Sequence, residues 1–269
     1  MKTLTKLHEH FRTKSDVGKI LKNLLFSTLL VVMSTLLVNA QNQAYWVHTD
    51  YVKPAMQSAY EKVSKDFVAA CKEYDLKDAD WATARIDDGR YLSISPIKNM
   101  GDLDANPLAP LMEKMGKDSF YAMFDRFNTC YDKHTNYIIY LNGDLSYMPN
   151  GLTVSTAGHD YRKYHFFYVT PSTSKSVSEK IKAIKEFYAK KGMKEYFRVY
   201  HSGFGTPEEF YVAVISAKDA QDYLKTSDEA EAQYGDEGKK LFDDLFSSIS
   251  RYEVKSGEMR PDLGYIAKK

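Results

Sequence analysis

The stretch GDLSYMP, Gly143 to Pro149, returns as PDLGYIA at Pro261 to Ala267. A phrase of the form Asp-Leu-x-Tyr near the middle of the chain, and again at its end, marks the close of a repeated unit. Reading backward from each copy recovers one order of elements twice. An aromatic strand opens each unit, AYWVH at Ala44 to His48 and YHFFYV at Tyr164 to Val169. A helix follows, with Met56, Tyr60, Val63, Phe67, Ala70 and Tyr74 on one face in the first copy and Val177, Ile181, Ile184 and Tyr188 in the second. Ser176 and Glu179 have the spacing of a capping box at the start of the second helix.

Each helix leads into a hairpin. The first reads WATARI, the turn Asp87-Asp88-Gly89, then RYLSISPI; the second reads YFRVYHS, the loop GFGTPE, then EFYVAVIS. The acidic stretches NMGDLDANPLAP and AKDAQDYLKTSDE read as loops or single helical turns. Another helix carries Phe120, Phe124, Phe127 and Tyr131, or Phe242, Leu245, Phe246 and Ile249. A last strand, NYIIYL or SRYEV, runs into the closing phrase. The order β-α-β-β-α-β, twice, predicts an α+β protein of two tandem ferredoxin-like units, over 41–155 and 156–269. A ferredoxin-like sheet carries its helices on one face, so the other needs cover; two copies packed sheet to sheet as a fused α+β barrel supply it. Tyr147 and Tyr265 are then expected to anchor each last strand onto the partner copy, and fusion lets the monomer suffice.

In element order and repeat the chain resembles the dimeric α+β barrel superfamily, which includes NIPSNAP proteins, stress-responsive A/B barrels, antibiotic-biosynthesis monooxygenase-like proteins and chlorite dismutases. The resemblance covers nearly all of Ala44 to Ala267 and rests on no catalytic signature, and this fold hosts many functions. It implies a range from cofactor-free oxygenases and haem proteins to modules without chemistry. Chlorite dismutases hold iron by a histidine on a helix of the second unit. Here those helices contain none, so an axial ligand would have to come from His165 or His201 on strands. The Asn, Trp and His of haem-degrading relatives are not matched either, although Trp46, Trp81 and His134 are present. No cofactor is assigned.

Residues 1–40 read as a signal peptide. Lys2, Lys6, Arg12, Lys14, Lys19 and Lys22 precede an apolar run from Leu24 to Val38, which falls short of the about 20 residues that span a bilayer. Val38-Asn39-Ala40 places cleavage before Gln41. The expectation is a soluble exported protein, periplasmic or secreted, with no membrane span after cleavage. With the basic leader removed the remainder is slightly acidic, which does not suit nucleic acid. An aromatic share of 14%, with 21 Tyr, argues for substantial cores rather than disorder. Cys71 and Cys130 fall near the C-terminal ends of two antiparallel helices, so they are expected to stay unbonded.

Motifs for chemistry are sparse. No HExxH, CxxC or GxSxG occurs, GDEGKK at Gly235 to Lys240 lacks phosphate-loop spacing, and neither a metal site nor a catalytic residue is assigned. The first hairpin carries the most information. Ala82, Ala84 and Ile86, with Leu92 and Ile94, are expected to face the helices. Trp81, Thr83, Arg85, Tyr91, Ser93 and Ser95 would then face the second sheet, more polar than a dry core favours. With Trp46 and His48 they outline a ligand site in the inter-sheet space for a small apolar or anionic aromatic molecule, or a protein partner. Arg85 pairing with a carboxylate at the rim is the competing reading. The function expected is non-catalytic binding through that space. An oxygenase, cofactor-independent or haem-linked, using Arg85 or His48, and a structural envelope protein are the alternatives.

Overall fold

In the computed structural model, which describes residues 42–153 and 156–268, the first half runs β1 (Ala44–Val52), α1 (Gln57–Glu73), β2 (Ala82–Ile86), β3 (Arg90–Ile97), α2 (Ala109–Met115), α3 (Lys117–Asn128) and β4 (Tyr131–Tyr147). The second half runs β5 (Tyr161–Val169), α4 (Ser174–Lys191), β6 (Phe197–Ser202), β7 (Glu209–Ala217), α5 (Ala220–Glu231), α6 (Gly235–Phe246) and β8 (Arg251–Met259). The signal peptide expected over 1–40, and export with it, lies outside the described residues. Among the described residues no helix is long and apolar enough to cross a membrane.

The eight strands form a closed barrel in the order β1-β3-β2-β8-β5-β7-β6-β4. Taken as two sheets, β4-β1-β3-β2 and β8-β5-β7-β6 have the same order, that of the ferredoxin-like unit. The sheets join through β2 with β8 and β4 with β6, both antiparallel, so no edge is left open. Gly257 makes the first seam feasible, because a Cβ there would collide with the Arg85 carbonyl oxygen.

The closing tyrosines fasten the seams reciprocally. Tyr147, paired with Phe197 of β6, sits in the core of the second half and donates its hydroxyl to the Met193 carbonyl at 3.1 Å, just past the end of α4. Tyr265 bridges to Trp81 and donates to the carbonyls of Leu76 at 2.6 Å and Cys71 at 3.2 Å, at the end of α1. Each half therefore ends by capping the other half's first helix. The repeated phrase encodes that exchange.

The helical stripes bury as their periodicity dictates: Tyr60, Val63 and Ala70 on α1, and Val177, Ile181, Ile184 and Tyr188 on α4. Helix α4 starts at Ser174 without a side-chain cap, so Ser176 and Glu179 lie inside it and form no capping box; Gly192, at φ 63°, ends it. The acidic stretch read as a loop is the full helix α5, because the Asp219 carboxylate accepts from the backbone N–H groups of Gln221 and Asp222. Cys71 and Cys130 are free and buried.

Register assigns the strand faces. Phe210, Val212 and Val214 of β7 cluster with Ile139, Tyr164, Phe166, Tyr168 and Tyr200 inside the barrel. At one end of that interior Arg162 and Arg198 are both buried; Arg198 donates to the Thr153 carbonyl and to Ser216, and Arg162 to the Tyr161 carbonyl.

Candidate functional site

The expected inter-sheet site is not what the first hairpin builds. Trp81 stacks on Phe67 of α1 with centroids 5.3 Å apart, the Tyr91 ring lies 4.6 Å from that of Tyr60, and the Tyr91 hydroxyl donates to Glu61. Those residues, and with them Thr83, Arg85 and Ser93 in the same register, face the helices; Ala84 and Leu92 face the barrel interior. The assignment is the reverse of the sequence reading. Inside a barrel already filled with tyrosine and phenylalanine, alanine is the side chain that fits, while Tyr91 reaches its hydrogen-bond partner on α1. Thr83 donates to the Leu263 carbonyl at 2.9 Å and Arg85 pairs with Glu258, its cross-strand partner, at 3.2 Å, with both side chains over a third exposed. Trp46 and His48 project from β1 on the same outer face, 6.2 Å apart. These residues are neighbours on a helix-covered face, and they do not enclose a guest between the sheets.

A cavity does lie in the second half, between the outer face of its sheet and helices α4, α5 and α6. It holds about 150 Å³. Its walls are Phe167, Phe197, Val199, Ala213 and Ile215 from the strands, and Ile181, Ile184, Phe242, Leu245 and Phe246 from the helices. The apolar stripes that build the core thus stop short of closing it. Tyr252, 39% exposed, and Phe246, 43% exposed, stand at its mouth.

Besides Ser227 and the tyrosine hydroxyls, two polar groups interrupt this wall. The first is His165 on β5, with Nδ1 2.6 Å from the Tyr252 hydroxyl and Nε2 3.2 Å from that of Tyr223 on α5. Burial, reinforced by the nearby Lys163 ammonium, lowers its pKa to about 4, so the imidazole is neutral at pH 7. The second is Glu195, which precedes β6 and is 5% exposed. Its Oε2 accepts from the Tyr188 hydroxyl at 3.0 Å, and Tyr188 in turn lies 2.6 Å from the Tyr234 hydroxyl. Glu195 Oε1 is buried without a hydrogen-bond partner. Burial raises the Glu195 carboxyl above its ordinary value, against the hydrogen bond from Tyr188, and raises the Tyr234 phenol to about 12.

None of this was legible as a motif. His165, on β5, and Glu195, just before β6, are lone polar residues among aromatic ones, and only the βαββαβ order, which hangs helices over that sheet face, brings them to one cavity. A haem does not fit here. The volume matches a cavity that takes one benzene ring, and both ring nitrogens of His165 are already engaged. His201 stacks on Tyr140 at 5.0 Å and does not line the cavity.

No protein-family model matches the sequence, and no curated protein is similar to it in sequence. Among solved structures the chain is similar to an anthrone oxidase-like protein, at 12% identity and a TM-score of 0.52, over 81% of this chain and 91% of that one. It is also similar to a candidate monooxygenase from Lactobacillus acidophilus NCFM, at 10% identity and a TM-score of 0.51, over 85% of this chain and 100% of that one. The fold is the α+β barrel. At these identities the likeness is one of fold alone.

Proposed function

We propose that the protein binds a single-ring aromatic hydroxy compound, of the phenol or hydroquinone class, in the helix-covered cavity of its second half. The observation that carries this reading is the buried Glu195 Oε1, without a partner, on a cavity lined mainly by aromatic and aliphatic groups. A buried carboxyl oxygen left without a hydrogen bond is costly, and a guest hydroxyl supplies one. The volume sets the size, since a cavity of about 150 Å³ takes one benzene ring. The exposed edges of Tyr252 and Phe246 give the ring a way in.

Calorimetric titration with hydroquinone, and with toluene as the size-matched apolar control, tests this. Hydroquinone is expected to bind at least tenfold tighter than toluene, and Glu195→Gln to remove most of that preference. Equal binding of the two, or no binding of either, would refute the reading.

His165 favours a second reading, a cofactor-independent oxygenase of the kind the fold likeness suggests. A neutral imidazole on the cavity wall can hold a guest's hydroxyl by a hydrogen bond and orient the ring toward dioxygen, which would place one oxygen atom on the ring as a hydroxyquinone and release the other as water. The longer contact, to Tyr223, is the one a guest would displace. Dioxygen uptake in the presence of hydroquinone, above the uncatalysed rate and lost in His165→Gln, would support it. Uptake at the background rate leaves a binding protein.

A further inference from the structure

A second constellation lies on the outer face of the first half. The register of β1 against β4 sets Asp50 opposite His134 and His48 opposite Asn136. His48 and Asp50 stand two apart on one strand, so both side chains leave the same face. His48 Nε2 is 3.0 Å from Asp50 Oδ1, the two imidazole rings are 5.3 Å apart, and one ligand atom from each of the three residues lies within 4.8 Å of the others. We propose that His48, Asp50 and His134 bind one divalent first-row transition-metal ion, with its remaining coordination positions open to solvent.

The donor set decides the class of ion. Two imidazoles and one carboxylate suit zinc, cobalt, iron or nickel, whereas magnesium and calcium take oxygen ligands. Two supporting contacts orient the ligands as a metal requires. Asn136 Oδ1 accepts from His48 Nδ1 at 2.8 Å, which turns the Nε2 lone pair toward Asp50. Tyr60, from α1, donates to Asp50 Oδ2 at 2.8 Å and leaves Oδ1 facing His48.

Charge points the same way. Asp50 is 5% exposed, and among the described residues its only ionic partner is His48. A buried carboxylate without a lysine or arginine lacks positive charge, which an ion supplies. Two lysines of the neighbouring chain segments are committed elsewhere: Lys53 to Asp132, at 3.4 Å, and Lys133 over the Tyr51 ring, at 4.5 Å. His134 is exposed. It can rotate inward to close the ligand atoms to the ~3.4 Å spacing of a tetrahedral site with bonds of about 2.0–2.1 Å, and its side gives the ion a path of entry.

The sequence did carry half of this signal. His-x-Asp on a strand places two ligands on one face, but the third comes from a distant strand through register alone.

Cobalt(II) titration of the purified protein, without an affinity tag and after chelator treatment, tests the site by its visible absorption bands. One equivalent is expected to bind. Asp50→Asn and His134→Ala should each weaken binding at least tenfold, and Asn136→Ala should weaken it by about ten- to a hundredfold, as for loss of a supporting hydrogen bond. His159→Ala, a histidine of the loop before β5, should leave binding unchanged. Because His134 is exposed, its variant keeps the fold, and circular dichroism of each variant verifies that. Absence of stoichiometric binding by the wild-type protein overturns the proposal, as does unchanged binding by folded His134→Ala.

Discussion

The Tyr265 hydroxyl serves two carbonyl groups at the end of α1. Tyr265→Phe leaves the ring in place and strips the Leu76 carbonyl of its donor, while the Cys71 carbonyl keeps the Leu76 backbone N–H at 3.0 Å, so it should cost about 1–3 kcal/mol, read as a lowered denaturant midpoint with an unchanged slope. Arg85→Ala should behave differently. Its pair with Glu258 is exposed to solvent on both sides, so the loss should be about 0.2–1 kcal/mol, and thermal melts separate that from a buried pair. His165 sets a pH dependence. Its folded pKa of about 4 lies below the ordinary value of about 6.5, so between those values the unfolded chain binds more protons. Stability from this residue is therefore full above pH 6.5 and falls as pH drops toward 4, by up to about 3 kcal/mol. Glu195, raised rather than lowered, acts in the opposite sense, because its folded form holds its proton to higher pH. Melts of His165→Gln beside wild type from pH 7 to 4 isolate the first effect. Identical pH profiles would contradict it.

At the scale of elements, helix α5 shows how much one side chain can decide. Asp219 holds two backbone N–H groups at its start, and Asp219→Ala should cost about 1 kcal/mol, measured by equilibrium unfolding. The acidic stretch reads as a loop because its apolar positions are few: Tyr223 and Ala230 are its only buried residues. Where stripes were dense, as on α1 and α4, periodicity was enough to identify both the helix and its buried face. Strand faces were harder. In a closed barrel both faces of a strand are covered, one by the opposite wall and one by helices, so alternation separates two faces without saying which is inner. Ala82, Ala84 and Ile86 resemble a helix-facing set, yet Ala84 and Ile86 fill the interior. The same ambiguity hid the candidate site, since His165 and Phe167 share the outer face of β5 with the cavity, while Tyr164 and Phe166 share the inner one with the aromatic core.

For the whole molecule, closure depends on both halves. Residues 42–153 alone would expose the barrel side of β1 and β3 and leave β2 and β4 without their partners β8 and β6. That fragment should self-associate or aggregate, visible by light scattering at micromolar concentration. A monomeric, cooperatively folding fragment would contradict the account of closure. The order of the repeat was legible in the sequence because each half spells its own strands and helices. The seams were legible only through the two closing tyrosines.

Those tyrosines also imply that continuity of the chain between Tyr147 and Tyr161 is dispensable once the barrel has closed. Each half clasps the other through a seam and a hydroxyl anchored at a helix end, so nicking the connection should leave one particle. Two separately made polypeptides should complement each other, behaving as an asymmetric heterodimer whose interface is the barrel itself.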